Sequence, residues 1–277
     1  MPHIHPTAVV DRNAKIADDV TVGPFSVIGP RVQIGSGTSI ASHCVIEGRT
    51  TLGRFNRVFH HCFLGGEPQD LKFRGEDATL EIGDYNDIRE NVTMHIGTAN
   101  GLGKTVVGSH NLIMVAAHIA HDCVVGDHCI LSNAVLLAGH IEINDHAILA
   151  GAAAVSHYVT IGRYAYVGGL SGVVHDVPPF MISDGHPARV RAINAIGLGR
   201  HQFEPETIEN LRKACQLLYT RKTEGSFLAA LEEVDATMGH DAAVAELVTF
   251  ARRMSDAPNG RYAEIARRDD KRRTPTR

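Results

Sequence analysis

The sequence predicts a mainly β protein: a parallel β-helix built as a triangular prism, followed by a small α-helical domain. Three observations predict it. An aliphatic residue recurs at every sixth position from Ile4 to Val173, a double proline follows at Pro178-Pro179, and a helical period takes over from about Phe203.

The period of six comes first. It runs Ile4, Val10, Ile16, Val22, Ile28, Ile34 and on to Leu64, resumes at Ile82, Ile88 and Met94, and resumes again from Val107 to Val173. That makes 26 positions, all aliphatic or Met. Neither an α-helix nor an alternating strand produces such spacing. The fourth residue after each aliphatic is usually small or branched (Ala8, Ser26, Thr38, Ala117, Ala147, Ala165), and the first is often Gly (Gly23, Gly35, Gly53, Gly108, Gly126). One hexad per face gives eighteen residues per coil, with the aliphatic pointing inward and coils stacked about 4.8 Å apart. The glycines are read as easing the tight turns. Cys44, Cys62, Cys123 and Cys129 all fall on the small inward position, so they read as buried thiols; five cysteines in all, without metal-type spacing, weaken disulfide and zinc readings.

Two stretches leave the period, 65–79 (GGEPQDLKFRGEDAT) and 95–105 (HIGTANGLGKT). Both are polar and glycine-containing, which predicts loops at the prism corners. The prolines end the repeat, so the β-helix spans 1–189. Beyond it Ile208, Leu211, Cys215 and Leu218 share one helical face, as do Phe227, Leu228, Leu231 and Val234, then Val244, Leu247, Val248 and Ala251. A helical domain is predicted for 190–266, with a disordered basic tail at 267–277.

Composition narrows the function. A formal charge of −4 argues against nucleic acid as a partner, although Arg252 to Arg277 carry nine basic against four acidic residues. No apolar run approaches the roughly 20 residues of a membrane span, which argues against stable membrane insertion. The start lacks a basic-then-apolar leader, so the expected location is the cytoplasm.

His118, His121, His140 and His157 occupy none of the inward slots and are therefore expected on outer faces or corners. Eighteen-residue stacking places His121 under Gly139, Gly139 under His157, and Asp122 under His140. A histidine base, a carboxylate fixing its tautomer and a glycine amide one coil away suit acyl transfer.

The segments GGEPQDLKF (65–73), IRENVTMHIGT (88–98), NLIMVAAHIAHDC (111–123), LLAGH (136–140) and DVPPF (176–180) resemble the bacterial UDP-N-acetylglucosamine O-acyltransferases, whose reaction opens lipid A synthesis. The resemblance runs from the N-terminus to about Lys222. It implies the left hand of the helix and a homotrimer with sites between subunits. It also implies transfer of a 3-hydroxyacyl chain from acyl carrier protein to the 3-hydroxyl of UDP-N-acetylglucosamine, without cofactor or metal. By the same resemblance His121 is the general base, Asp122 its partner and Gly139 the oxyanion donor. Asp70, Lys72, His95, His118, His140, Asn194 and Arg200 contact substrate, with His157 read beside them at a position where the chain departs from the family, and Gly169 sets acyl length, nearer C14 than C10.

The chain departs from that family at Ser156-His157, where a His-Gln pair is usual, and at GLGRH (197–201), where the run is GLKRR-like. A relative acylating a 3-amino sugar is therefore the alternative. Further rivals are a γ-carbonic-anhydrase-like zinc enzyme, which lacks its third histidine because position 162 is Gly, the sibling N-acyltransferase, which carries an extra N-terminal domain where here the repeat begins at residue 4, and a non-enzymatic scaffold. Covalent catalysis has no support, since the cysteines point inward and no serine sits in a nucleophile elbow.

Overall fold

The computed structural model describes residues 1–220 and 226–256. Two- to four-residue strands follow one another around three parallel sheets that together form a left-handed β-helix. Register follows the hexads: Ile4 pairs with Val22, Val22 with Ile40 and Ile40 with Val58, each one coil apart. Where the repeat is interrupted the coil absorbs the extra chain. Val58 pairs with Ile88 and Ile88 with Ile113, so every inward side stays inward.

The aliphatic positions form the core. From Val22 upward they are buried, whereas Ile4, at the open end, is 39% exposed. Burying one such side chain stabilises the fold by about 1.5–3 kcal/mol, so the column of them carries the prism. The small slots are equally closed, and Cys44, Cys62, Cys123 and Cys129 occupy four of them as buried free thiols.

The turns differ from the sequence reading. The left-handed backbone conformation falls on the third residue after most aliphatics, as in Phe55, Tyr85, His110, His128, His146 and Tyr164, and not on the glycines in first place. The glycine in first place is needed for a different reason. A Cβ on Gly35 would lie 2.7 Å from the carbonyl carbon of Gly53, and one on Gly108 would lie 2.6 Å from the carbonyl oxygen of Gly126, so adjacent coils approach too closely for a side chain. The third residues instead stack their rings up one corner, 4.8–5.0 Å apart through Phe55, Tyr85, His110, His128 and His146 and 4.5 Å from His146 to Tyr164.

Both interruptions leave the same corner. The first departs after Phe63–Gly66 and returns at Thr79–Ile82; the second departs after Thr93–His95 and returns at Lys104–Val107. Their bases are strand, since Gly66 pairs with His95 and Thr79 with Lys104, so the free loops are shorter than 65–79 and 95–105.

Above the prolines the chain forms an antiparallel hairpin, Met181–Gly185 with Ala188–Ile193, which the sequence reading did not foresee and which straddles residues 189 and 190. Helices α1 (Ala195–Arg200), α2 (Pro205–Cys215, continued by a wider turn at Gln216–Thr220), α3 (Phe227–Met238) and α4 (Ala242–Asp256) then build a second core. In α3 that core is made by Ala230, Leu231, Val234 and Met238, while the expected Phe227 and Leu228 stay exposed at the first turn. The expected limit at 266 and the tail 267–277 lie outside the described residues. Among the described residues no helix is long and apolar enough to cross a membrane.

Candidate active site

The corner that releases both loops continues upward as His121-Asp122, Gly139-His140 and His157-Tyr158, one pair per coil, each between the same two sheets. Hexad spacing thus turns residues eighteen apart into neighbours along one edge. Beside it lies a groove of about 510 Å³, lined among others by Leu102, Asp122, His140, Ile141 and Tyr158.

At the centre His121 Nδ1 is bonded to Asp122 Oδ2 at 2.8 Å. A carboxylate can only accept, so Nδ1 carries the proton and Nε2 presents its lone pair. Asp122 is 1% exposed. Burial alone would raise its pKa, but bonds from His121, the Thr98 hydroxyl and the Thr98 amide together hold it below the usual carboxylate range. One coil up, Gly139 lies on the His121 ring, and among the described residues its N–H donates to nothing.

The other histidines of this edge are more enclosed than corner positions suggested. His95 is 5% exposed with its Nδ1 unpartnered, and its ring meets His118 edge-on at 4.9 Å. Burial first, then the neighbouring His118 and His121, lower its pKa to about 4. Burial and His121 also lower that of His118, whose Nδ1 is 2.7 Å from the Thr93 hydroxyl. His140 stands edge-on to His121 at 5.0 Å and stacks on Tyr158 at 4.5 Å. The second loop packs on Asp122 at the same edge, through Thr98, Gly101 and Leu102.

The remaining sequence-predicted residues lie elsewhere in the chain. Asp70 and Lys72 form a turn in the first loop, where the Asp70 carboxylate accepts from the Lys72 N–H at 3.0 Å; neither lines the groove. The Asn194 side chain is already engaged, accepting from Gly197 N–H at the start of α1 and donating to the Tyr164 carbonyl, at the aromatic corner. Within this chain it caps α1, since a helix start needs an acceptor. Arg200 is exposed on the last turn of α1. The next residue, His201, packs edge-on against His146 and Tyr164, so this departure from the family has a structural use. Gly169 lies exposed at the third corner, where a Cβ would approach only the Gly151 carbonyl, at 3.3 Å. His157, half-buried, leans toward Tyr158. Sequence reading missed Thr98, Leu102 and Tyr158. Thr98 and Leu102 were detectable only through the loop's path, whereas Tyr158 sits one coil above His140 by spacing alone.

His121, Asp122 and His140 place ligand-type atoms within 4.8 Å of one another, as a metal site would. The Asp122 oxygens, however, are filled: Oδ1 accepts from Thr98 N–H and Leu102 N–H, Oδ2 from the Thr98 hydroxyl and His121. That uses the four or so lone-pair sites of a carboxylate and leaves none for a cation.

A prism of hexapeptide coils carrying an oriented histidine beneath an open amide has the build of a hexapeptide-repeat transferase. The family models agree: residues 13–48 match the bacterial transferase hexapeptide repeat and 176–259 the second domain of UDP-N-acetylglucosamine O-acyltransferase. The chain belongs to the UDP-N-acetylglucosamine O-acyltransferase family. It is 59% identical to the acyl-[acyl-carrier-protein]–UDP-N-acetylglucosamine O-acyltransferase of Cupriavidus necator, covering 86% of this chain and 90% of that one. It is 46% identical to the Thiobacillus denitrificans enzyme, over 91% and 97%. The crystal structure of the Moraxella catarrhalis O-acyltransferase superposes with a TM-score of 0.85 at 38% identity, over 90% of this chain and 96% of that one.

Proposed function

We propose that this chain transfers a 3-hydroxyacyl group from acyl carrier protein to the 3-hydroxyl of UDP-N-acetylglucosamine, the opening step of lipid A synthesis, in the cytoplasm. The observation that carries the reading is the buried His121–Asp122 pair directly beneath the unbonded Gly139 amide. His121 Nε2 takes the proton of the sugar hydroxyl as its oxygen attacks the thioester carbonyl. The Gly139 N–H receives the oxyanion. The intermediate then collapses, the C–S bond breaks, and the proton on His121 passes to the departing thiolate. Asp122 stabilises the transient imidazolium throughout. No step needs a cofactor or metal. The relatives carry O-acyltransferase names, which favours a hydroxyl over an amino acceptor.

A homotrimer is the assembly this reading favours. Within one chain His121 and Gly169 occupy different corners and Arg200 lies on α1, so on this reading neighbouring copies would bring the last two to the base. Outward-facing Val9, Val27 and Leu136 on the sheet that carries His118 are exposed, an apolar face suited to a second copy. Lys72 would then meet the nucleotide phosphates from a neighbouring loop, beside His95, His118, His140 and His157. The test is turnover of UDP-N-acetylglucosamine and its 3-amino analogue with 3-hydroxyacyl carrier proteins, with and without chelator, alongside sedimentation. Chelator-resistant turnover of the hydroxyl substrate by a trimer is expected. Turnover of the amino sugar alone, or only with metal, would contradict the reading.

A further inference from the structure

The second loop ends where the general base begins. Thr98 bonds the Asp122 carboxylate twice, through its N–H at 3.0 Å and its hydroxyl at 2.7 Å, and the Leu102 N–H adds a third bond at 2.8 Å. Gly101, between them, must be Gly, because a Cβ there would lie 2.3–2.5 Å from the carboxylate. Thr98 is 2% exposed, so its hydroxyl reaches no solvent and serves Asp122.

The detail that matters is which oxygen it serves. The Thr98 hydroxyl and His121 share Oδ2, and the Nδ1 of His140 stands 3.9 Å from that same atom. Two imidazoles thus compete for one carboxylate oxygen, and the hydroxyl occupies the lone pair that would otherwise be open to His140. We propose that Thr98 is a positioning residue for the reaction: acting through Asp122, it commits the carboxylate to His121 and denies it to His140, and the second loop serves to deliver that grip. The inference rests on the acyl-transfer reading. The other titratable groups around the pair are His95 and His118 beside His121, Cys123 behind Asp122 and Glu142 across the groove.

The test is steady-state kinetics of Thr98→Val, Thr98→Ala and Thr98→Ser in the full chain, alone and combined with Asp122→Asn, with thermal melting to follow the fold. Thr98→Val should lower kcat roughly ten- to a hundredfold, the range for losing one hydrogen bond to a charged group, with KM unchanged. The acid limb of kcat/KM should move to higher pH, because a carboxylate stripped of one donor holds a proton on its imidazole partner more firmly. Thr98→Ser should restore both, and Thr98→Val should add nothing once Asp122 is Asn. Near-wild-type kcat in folded Thr98→Val or Thr98→Ala, an unmoved acid limb, or an equal proportional loss in the Asp122→Asn background would overturn the inference while leaving acyl transfer standing. An inert wild type would instead overturn the acyl-transfer reading, and the inference with it.

Discussion

Gly139 rests on the ring of His121: a Cβ at position 139 would lie 2.6 Å from Cε1 and 2.8 Å from Nε2. The contact joins two steps of the chemistry, since the atom that takes the proton and the amide that meets the oxyanion are held one coil apart by the same register. Gly139→Ala should therefore cost activity by moving the base, although the amide itself survives. The expected loss is on the order of a hundredfold or more in kcat, the scale of one displaced acid–base or oxyanion group. Circular dichroism should show the prism intact, and undiminished kcat would refute the contact's role.

Asp122→Asn makes a different point. Asn fills the same volume, but its NH2 must face donors wherever it lies, whether Thr98 N–H, Leu102 N–H or His121. The histidine loses its fixed tautomer, and kcat should fall by about two to four orders of magnitude. KM for the sugar should stay near wild type, measured with saturating acyl carrier protein.

Acyl length offers a test at another corner. A Cβ on Gly169 would approach only the Gly151 carbonyl, at 3.3 Å, so a side chain can begin there and Gly169→Met would extend outward from an exposed position. Competition among C10 to C16 donors should show preference shifting from about C14 toward shorter chains. Unchanged selectivity would remove Gly169 from the acyl path.

Stability should depend on pH through His95. Burial depresses its folded pKa to about 4 from an ordinary 6.5. The unfolded chain binds the proton more readily, so the contribution is fully present above pH 6.5 and is lost as pH falls toward 4. His118, lowered for the same cause, acts in the same direction. The depression of His95 corresponds to roughly 3 kcal/mol across that window. Urea midpoints measured from pH 7 to 4 should fall less steeply in His95→Phe; parallel slopes would refute the assignment.

Much of this was legible in the sequence because the hexad is both a packing rule and a coordinate system. Knowing that Ile119 and Leu137 point inward is enough to stack Gly139 on His121 and His140 over Asp122. What the period does not encode is the path of chain that leaves it. The grip of Thr98 and Leu102 on Asp122, and the burial of His95, arise in a loop whose shape no spacing dictates. The glycines were misassigned for a related reason. A turn and a close coil contact both call for Gly, and only the backbone shows that the left-handed residue is two positions further on, where Tyr85 and His128 accept it. Asn194 was assigned by resemblance alone, and its capping of α1 was not legible in the spacing.

The account turns on His121 as the base. The most direct measurement is acyl transfer to UDP-N-acetylglucosamine by wild type and His121→Ala across pH, with melting curves for both. Wild-type turnover with a fall of two to four orders of magnitude in a fully folded His121→Ala is the predicted result, in the range of a lost general base. Comparable turnover in the two proteins would contradict the account and move the proton acceptor elsewhere on this edge.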